Sequence, residues 1–295
     1  MAVLAGPRAW GTTRPALGAL VQQGHPLAKG LVFCGIDQAN GVMFEHMQGT
    51  SRRLSGTATA LHRGWSSPGG VAMEATQFTV ANNNTGWFFG PNTGYMTPGA
   101  FTYAALAAEQ SFNDSSYFIS DDFNTGGRGR VLVDNAVGGQ YQVGTGGGST
   151  NLQVLNSGTV TTGQLNLYAG GSSASGQGML WLNGRPVATG ALAGSAATSG
   201  NLCVGCRPFP GAQGGLHGSV AVAMVWNRLL QPSEMAWLYD EPFAMFTAPG
   251  SPGMRYLPSI AAPPTGAAGV TIPHSKVGLS DPDLVAGVSN SITGG

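Results

Sequence analysis

LHGSVAVAMVWNRLLQPSEMAWLYDEPF, residues Leu216 to Phe243, joins the longest apolar strand pattern of the chain to its best helical one. Alternation places Val220, Val222, Met224 and Trp226 on one face and Ser219, Ala221, Ala223 and Val225 on the other. Neither face carries charge, so the strand is expected to be covered on both sides, its bulky residues toward the core and its small ones against another layer. The helix that follows is the natural cover. Pro232 suits a first helical turn, where its missing N–H costs nothing, and Glu234 puts negative charge near the positive end of the helix dipole. Met235, Leu238 and Tyr239 share a face at i, i+3 and i+4. Pro242 disfavours helical geometry at Glu241, which ends the helix by about Asp240. A helix this short needs the sheet to hold it.

Working outward, short strand patterns and turns dominate. Leu31-Val32-Phe33 starts a strand and Val42 to Met47 supplies a second, followed by a polar connection through Arg52 and Arg53. Trp65 and the Pro68-Gly69-Gly70 turn lead to strands at Val71–Glu74 and Phe78–Ala81. Further strands are expected at Phe101 to Ala108, Tyr117 to Ser120, Arg130 to Asp134 and Tyr141 to Val143, separated by glycine pairs and triplets. Gln164 to Ala169 alternates polar with apolar, as a half-buried strand does. Met179 to Leu182 runs into Asn183-Gly184, a dipeptide that favours positive φ and is the strongest hairpin signal in the chain. Many short strands at this spacing mean a sandwich or barrel.

Composition sets bounds on function. Glycine makes up 48 of the 295 residues, about 16 per cent against a usual ~7, without the three-residue period of collagen. Charged residues are 9 per cent, 13 basic and 13 acidic, against a usual ~25. A neutral, weakly charged surface argues against nucleic acid as a partner. It also gives up the charge that keeps monomers apart, a first sign of assembly with other copies. No basic region followed by an apolar core opens the chain and no apolar run reaches 18 residues, so neither signal peptide nor membrane span is expected. Cys34, Cys203 and Cys206 are too few to staple a domain of this size. Cys203-x-x-Cys206 lacks a second CxxC and a following helix, so it reads as structural.

The two ends differ from the middle. Residues 1–24 read as an extended arm with Trp10, Leu17, Leu20 and Val21 as anchors. Residues 247–295 form a Pro/Gly/Ala-rich tail in which seven prolines interrupt every helix or central strand, a composition that predicts disorder in isolation. Its spaced apolar residues Tyr256, Leu257, Ile260, Ile272, Val277 and Leu279 suit extended docking on a neighbouring chain or on the domain itself.

Two motifs bracket residues 25 to 246. Trp181-Leu182-Asn183-Gly184 ends one strand, and Gly215 to Pro242 contains Val-x-Val-x-x-x-Trp-Asn-Arg-x-Leu ahead of a helix ending Leu-Tyr-x-Glu-Pro. Together with the opening His25-Pro26-Leu27-Ala28-Lys29-Gly30-Leu31-Val32, they resemble laminin-G-like, concanavalin A-like jelly rolls encoded by tailed phages; Trp226 stands where that pattern often has Tyr. The resemblance implies an all-β jelly-roll sandwich with one short C-terminal helix, flanked by the N- and C-terminal arms. It implies a virion component; with no signal peptide expected, it would be made in the host cytoplasm.

The chemistry such folds carry elsewhere needs residues this chain supplies poorly. A glycosidase requires two carboxylates about 5–10 Å apart, and no Glu-x-Asp or Glu-x-x-x-Glu lies in a strand; Asp121-Asp122 are adjacent and Asp240-Glu241 end the helix. Asp114, Asp121, Asp122 and Asp134 with Asn113, Asn124 and Asn135 could supply calcium ligands, but turn formation explains them equally. His25, His46, His62, His217 and His274 show no ligand spacing. Glycine-serine runs at 146–149 and 170–173 lack the lysine and the strand–helix setting of a phosphate loop. Trp65, Trp87, Phe88, Phe89 and Tyr95 could stack on sugars, with core packing as their alternative fate. The expectation is a non-enzymatic virion structural protein without cofactor or metal, a capsid decoration subunit gripping the major capsid protein and copies of itself. The alternative is a carbohydrate-binding module of a tail or head fibre, with host-surface carbohydrate as partner.

Overall fold

The computed structural model describes residues 14–17, 19–54, 61–68, 70–78, 86–91, 99–110, 116–121, 128–135, 140–147, 152–159, 161–192, 201–206 and 216–246. These build an antiparallel β-sandwich. The large sheet contains β1 (Leu31–Asp37), β2 (Val42–Glu45), β3 (Thr50–Arg53), β4 (Leu61–Ser66), β5 (Ala72–Gln77), β7 (Phe101–Glu109), β12 (Leu165–Ser172), β13 (Gln177–Leu182), β14 (Arg185–Ala191) and β16 (Gly218–Trp226). Its strand order is β14-β13-β12-β7-β16-β1-β2-β3, with the β4–β5 hairpin joined to β16 through Gln77 and Ser219. The small sheet contains β6 (Trp87–Pro91), β8 (Ser116–Asp121), β9 (Arg128–Asn135), β10 (Gln140–Gly147), β11 (Leu152–Thr159) and β15 (Asn201–Val204), in the order β11-β10-β9-β8-β15-β6. The expected all-β sandwich is present, and so is the short helix near its C-terminal end, α1 (Pro232–Asp240).

The central strands of the large sheet are buried on both faces. Between the sheets lie Phe33, Phe89, Phe101, Tyr103, Phe118, Tyr141, Tyr168 and Val225, with Phe118 stacked on Tyr168 at 4.6 Å between ring centroids. On the outer face a second core joins Leu106, Leu167, Val222, Met224 and Trp226 to Met235 and Leu238 of α1 and to Trp65 and Met73 of the hairpin. All nine residues of β7 and all nine of β16 are consequently buried.

The sides of β16 are the reverse of the expected ones. Val222, Met224 and Trp226 face the helix, whereas Ala223 and Val225 face the other sheet. A bulge between Val220 and Val222 breaks the two-residue alternation and returns Val220 to the inter-sheet side. The inter-sheet space is already filled by aromatic rings from the neighbouring strands, which leaves room there only for small partners on β16.

Other expectations are corrected in the same way. Arg52 and Arg53 belong to strand β3, paired with β2, because they sit at the sheet edge where charge is tolerated. Trp65 lies within β4, and its hairpin partner ends at Gln77, so Phe78 follows the strand. The alternating segment from Gln164 is no half-buried strand: all eight residues of β12 are buried because β7 and β13 flank it and both faces are covered.

Candidate functional site

The two motifs that carry the family resemblance meet at one place and hold each other. At the end of β16, Trp226 Nε1 donates to the Leu27 carbonyl at 2.7 Å, and Asn227 N donates to Gly30 O at 2.8 Å. Arg228 then closes the clasp. Its Nη1 and Nη2 reach Glu234 Oε2 and Oε1 at 2.7 and 2.9 Å, while Nε donates to Lys29 O at 2.6 Å and Nη2 also to Pro26 O at 3.0 Å. Glu234 Oε2 accepts from Gln231 N at 2.9 Å, so one carboxylate both pairs the arginine and starts the helix. Thr102 Oγ1 completes the join by donating to Arg228 O and accepting from Leu230 N. Gly30 has φ +74°, and a Cβ there would lie 2.5 Å from Asn227 Oδ1. The sequence offers only the charge of Glu234 near the helix start; its pairing with Arg228, six residues earlier and outside the helix, comes from the fold.

The N-terminal arm is fastened at both ends of its described part. Arg14 Nη1 donates to Asp37 O at 3.2 Å, Gln22 N donates to Met245 O at 2.8 Å, and Val21 forms an antiparallel bridge with Phe246. Between these points Ala19 is buried, its carbonyl accepting from His46 Nδ1 at 3.2 Å. Leu17 and Leu20 turn the other way and are 63 and 72 per cent exposed. Among the described residues only Val187, at 43 per cent on β14, joins them as an exposed large hydrophobic. Of the anchors expected from sequence, Leu17 and Leu20 are exposed, and Val21 is half-buried in its bridge to Phe246. Trp10, Tyr256, Leu257, Ile260, Ile272, Val277 and Leu279 lie outside the described residues.

Beneath the arm lies a buried polar knot that sequence reasoning missed. Asp37 Oδ1 accepts from Ala39 N and Thr76 Oγ1, each at 3.0 Å, and Oδ2 accepts from Thr76 N. Thr76 Oγ1 accepts in turn from Gly41 N at 2.9 Å, tying the β1–β2 turn to β5. Burial pushes the Asp37 carboxyl up to about 6, against the opposing pull of the Thr76 and Ala39 donors and of Arg14. Glu45 is raised by burial too, although it collects three backbone N–H groups, from Cys34, Met47 and Gln48. Burial holds His25 and His46 below the usual imidazole value. These carboxylates serve the backbone, and a strand-face pattern could not have revealed that.

The remaining candidates fall mostly into the core. Trp87 and Phe89 are fully buried, Trp65 is buried with Arg63 4.4 Å over its ring, and Phe88 is half-buried; Tyr95 lies outside the described residues. Asp121 is buried within β8, Asp134 and Asn135 fall in β9, and Asp114, Asp122, Asn113 and Asn124 lie outside the described residues. No three His, Cys, Asp or Glu side chains converge to hold a metal among the described residues. Cys34, Cys203 and Cys206 are all buried, and none of them is in a disulfide. No helix among the described residues is long and apolar enough to cross a membrane.

The Laminin_G_3 profile, that of the concanavalin A-like lectin/glucanases superfamily, matches residues 81–236, more than half of the chain. The chain belongs to this superfamily. Among solved structures, this superfamily member is similar to Trypanosoma rangeli sialidase in complex with 2,3-difluoro-KDN, at 15% identity and a TM-score of 0.54. The match covers 81% of this chain and 38% of the sialidase. The same enzyme in complex with sialic acid matches at 16% identity and a TM-score of 0.51, covering 78% and 37%. The CBM40 of Ruminococcus gnavus IT-sialidase bound to α2,3 sialyllactose has 17% identity and a TM-score of 0.46, covering 55% of this chain and 96% of that one. The chain thus spans less than two fifths of the sialidase's length, and the likeness at this identity is one of fold. No curated protein sequence matches it significantly.

Proposed function

We propose that this superfamily member is a non-enzymatic structural protein of a tailed-phage virion, a capsid decoration subunit that holds its neighbours through its arm and tail. The observation that supports this reading is the arm itself, pinned at Arg14, Ala19 and Val21 while Leu17 and Leu20 point to solvent. An arm that served only its own domain would turn its leucines inward with Ala19. A weakly charged surface fits repeated contact with like subunits, where many small contacts add through avidity. Two of the buried carboxylates, Asp37 and Glu45, spend their oxygens on backbone donors, which favours a structural role for them.

The test is binding of the purified full chain to capsid shells of the phage that encodes it. Saturable, stoichiometric binding is expected, weakened at least about tenfold by Leu17→Ser combined with Leu20→Ser, since each buried leucine contributes roughly 1.5–3 kcal/mol before ordering costs. Binding that ignores these substitutions would overturn the arm-mediated reading. Saturable binding to a host polysaccharide without any shell binding would replace it with the carbohydrate-binding one.

A further inference from the structure

His46, just past β2, sits where the N-terminal arm meets the end of the domain. Its ring lies edge-on to Phe44 at 4.8 Å and to Phe246 at 5.0 Å between centroids. Its Nδ1 is 3.2 Å from Ala19 O. A carbonyl only accepts, so Nδ1 carries the proton of the neutral ring and Nε2 is left as a bare lone pair. Nε2 is buried and has no hydrogen-bond partner among the described residues. A proton added to the ring goes there, and it puts a full charge where no acceptor waits. Burial accordingly holds the ring below the usual imidazole value, against the pull of the Ala19 carbonyl. The arm also holds what covers the ring. Val21 bridges Phe246, and Gln22 donates from its N–H to Met245 O at 2.8 Å and from its side chain to Phe246 O at 3.4 Å.

We propose that His46 is an acid-sensitive latch for the arm: neutral, it fastens Ala19; protonated, it leaves its buried place, and residues 19–22 come away from the domain. The latch acts on the arm's hold on its own domain, whatever the protein assembles with. No ionisable side chain lies between Pro15 and Gly24 or between Pro242 and Phe246, the two segments that cover the ring. Glu45 precedes His46, but its oxygens already accept from Cys34 N, Met47 N and Gln48 N, and burial raises its carboxyl. Acid therefore removes the one neighbouring charge that would favour an imidazolium. On β1, whose Cys34 O accepts the His46 N–H at 2.9 Å, burial and Glu45 keep the Cys34 thiol neutral. Strand β3 adds only Arg52 and Arg53, both exposed. At the far end of the arm Arg14 faces Asp37, whose loss of charge on acidification loosens the arm in the same direction. His25, beyond the arm, faces Trp237 at 4.5 Å and Glu241; its Nδ1 accepts from Leu27 N, so it holds the following turn and not Ala19.

Amide hydrogen exchange of the full chain at about pH 7.5 and about pH 5 reads the latch, each rate being divided by the intrinsic rate at that pH. Peptides covering residues 16–24 report on the arm through the amides of Ala19 and Gln22, which donate to Ala16 O and Met245 O. Their opening is expected to rise at least about fivefold at the lower pH, within the roughly thirtyfold that an ordinary imidazole pKa allows, while β7 and β16 stay protected. His46→Asn offers Ala19 O a donor close to the place of Nδ1 and takes up no proton, so its arm should be equally protected at both pH values to within about twofold. Equal protection of the unsubstituted arm at both pH values, or an undiminished acid response in His46→Asn, would overturn the latch. Loss of protection in β7 and β16 together with the arm would overturn it too, since the whole domain would then be unfolding. Nuclear magnetic resonance of the His46 ring in the unsubstituted chain decides the matter without a variant. The ring should titrate together with the loss of arm protection, and a ring that titrates while the Ala19 and Gln22 amides stay protected would rule the latch out.

Discussion

Arg228 shows how much one side chain can organise. It makes four hydrogen bonds, two of them to a carboxylate, and joins the segment before β1 to the first turn of α1. Lysine cannot reproduce that planar fork. Arg228→Lys is expected to lower stability by about 1–3 kcal/mol in urea denaturation, with an unchanged far-ultraviolet circular dichroism spectrum. Asp37 makes a second prediction, one of sign. Its folded pKa of about 6 lies above the ordinary carboxylate value, so the folded state favours the protonated form. That contribution is complete below about pH 4 and is lost as pH rises through 6; between pH 7 and 5 it adds roughly 1 kcal/mol. Glu45 acts in the same direction, and His25 and His46, held neutral by burial, act against it. The comparison with Asp37→Asn isolates the term: the difference in unfolding free energy between the two proteins should grow by about 1 kcal/mol on going from pH 7 to 5. A constant difference would contradict the assignment. The buried role of Asp37 was not legible in the sequence because Thr76, thirty-nine residues on, is brought to it by the β4–β5 hairpin, whereas Ala39 is only its local contact two residues away.

At the scale of elements, local chemistry reads well and partnership reads poorly. Asn183-Gly184 announces its hairpin, and both residues take positive φ, 50° and 77°. The same turn is also the seat of α1: a Cβ on Gly184 would lie 2.8 Å from Tyr239 Cβ and 3.1 Å from Ala236 Cα. Gly184→Ala is therefore expected to cost about 1–3 kcal/mol, more than the backbone penalty alone, measured as a fall in melting temperature. Alternation placed strand β16 correctly but inverted its faces, because the bulge at Val220–Val222 and the aromatic filling contributed by other strands are absent from a local pattern. Strands β11 and β15 were missed for a related reason. Their sequences, LQVLNSGT and NLCV, carry polar or small residues where a strand pattern looks for bulk, and pairing within the small sheet supplies what propensity does not.

At the scale of the whole molecule, the low charge and the two unusual ends are legible in the sequence, whereas the exposure of the arm's leucines comes only from the fold. Leu17 and Leu20 flank Ala19, and composition gives no reason for the alanine to be buried while the leucines are exposed. The reason is positional: His46 and the Val21–Phe246 bridge fix the arm so that its small residue meets the sheet. Folding and association should therefore separate cleanly at these positions. Exposed side chains away from caps and cores shift stability by about 0.5 kcal/mol or less, so Leu17→Ser with Leu20→Ser should leave the midpoint of urea unfolding nearly unchanged while concentration-dependent sedimentation of the full chain loses its associated species. Substitution of Ala19 by Leu should do the opposite, lowering stability by forcing bulk against the sheet beneath the arm. If the leucine pair lowers stability as much as Ala19→Leu does, the two leucines belong to the domain's own packing, and the surface for neighbours lies elsewhere.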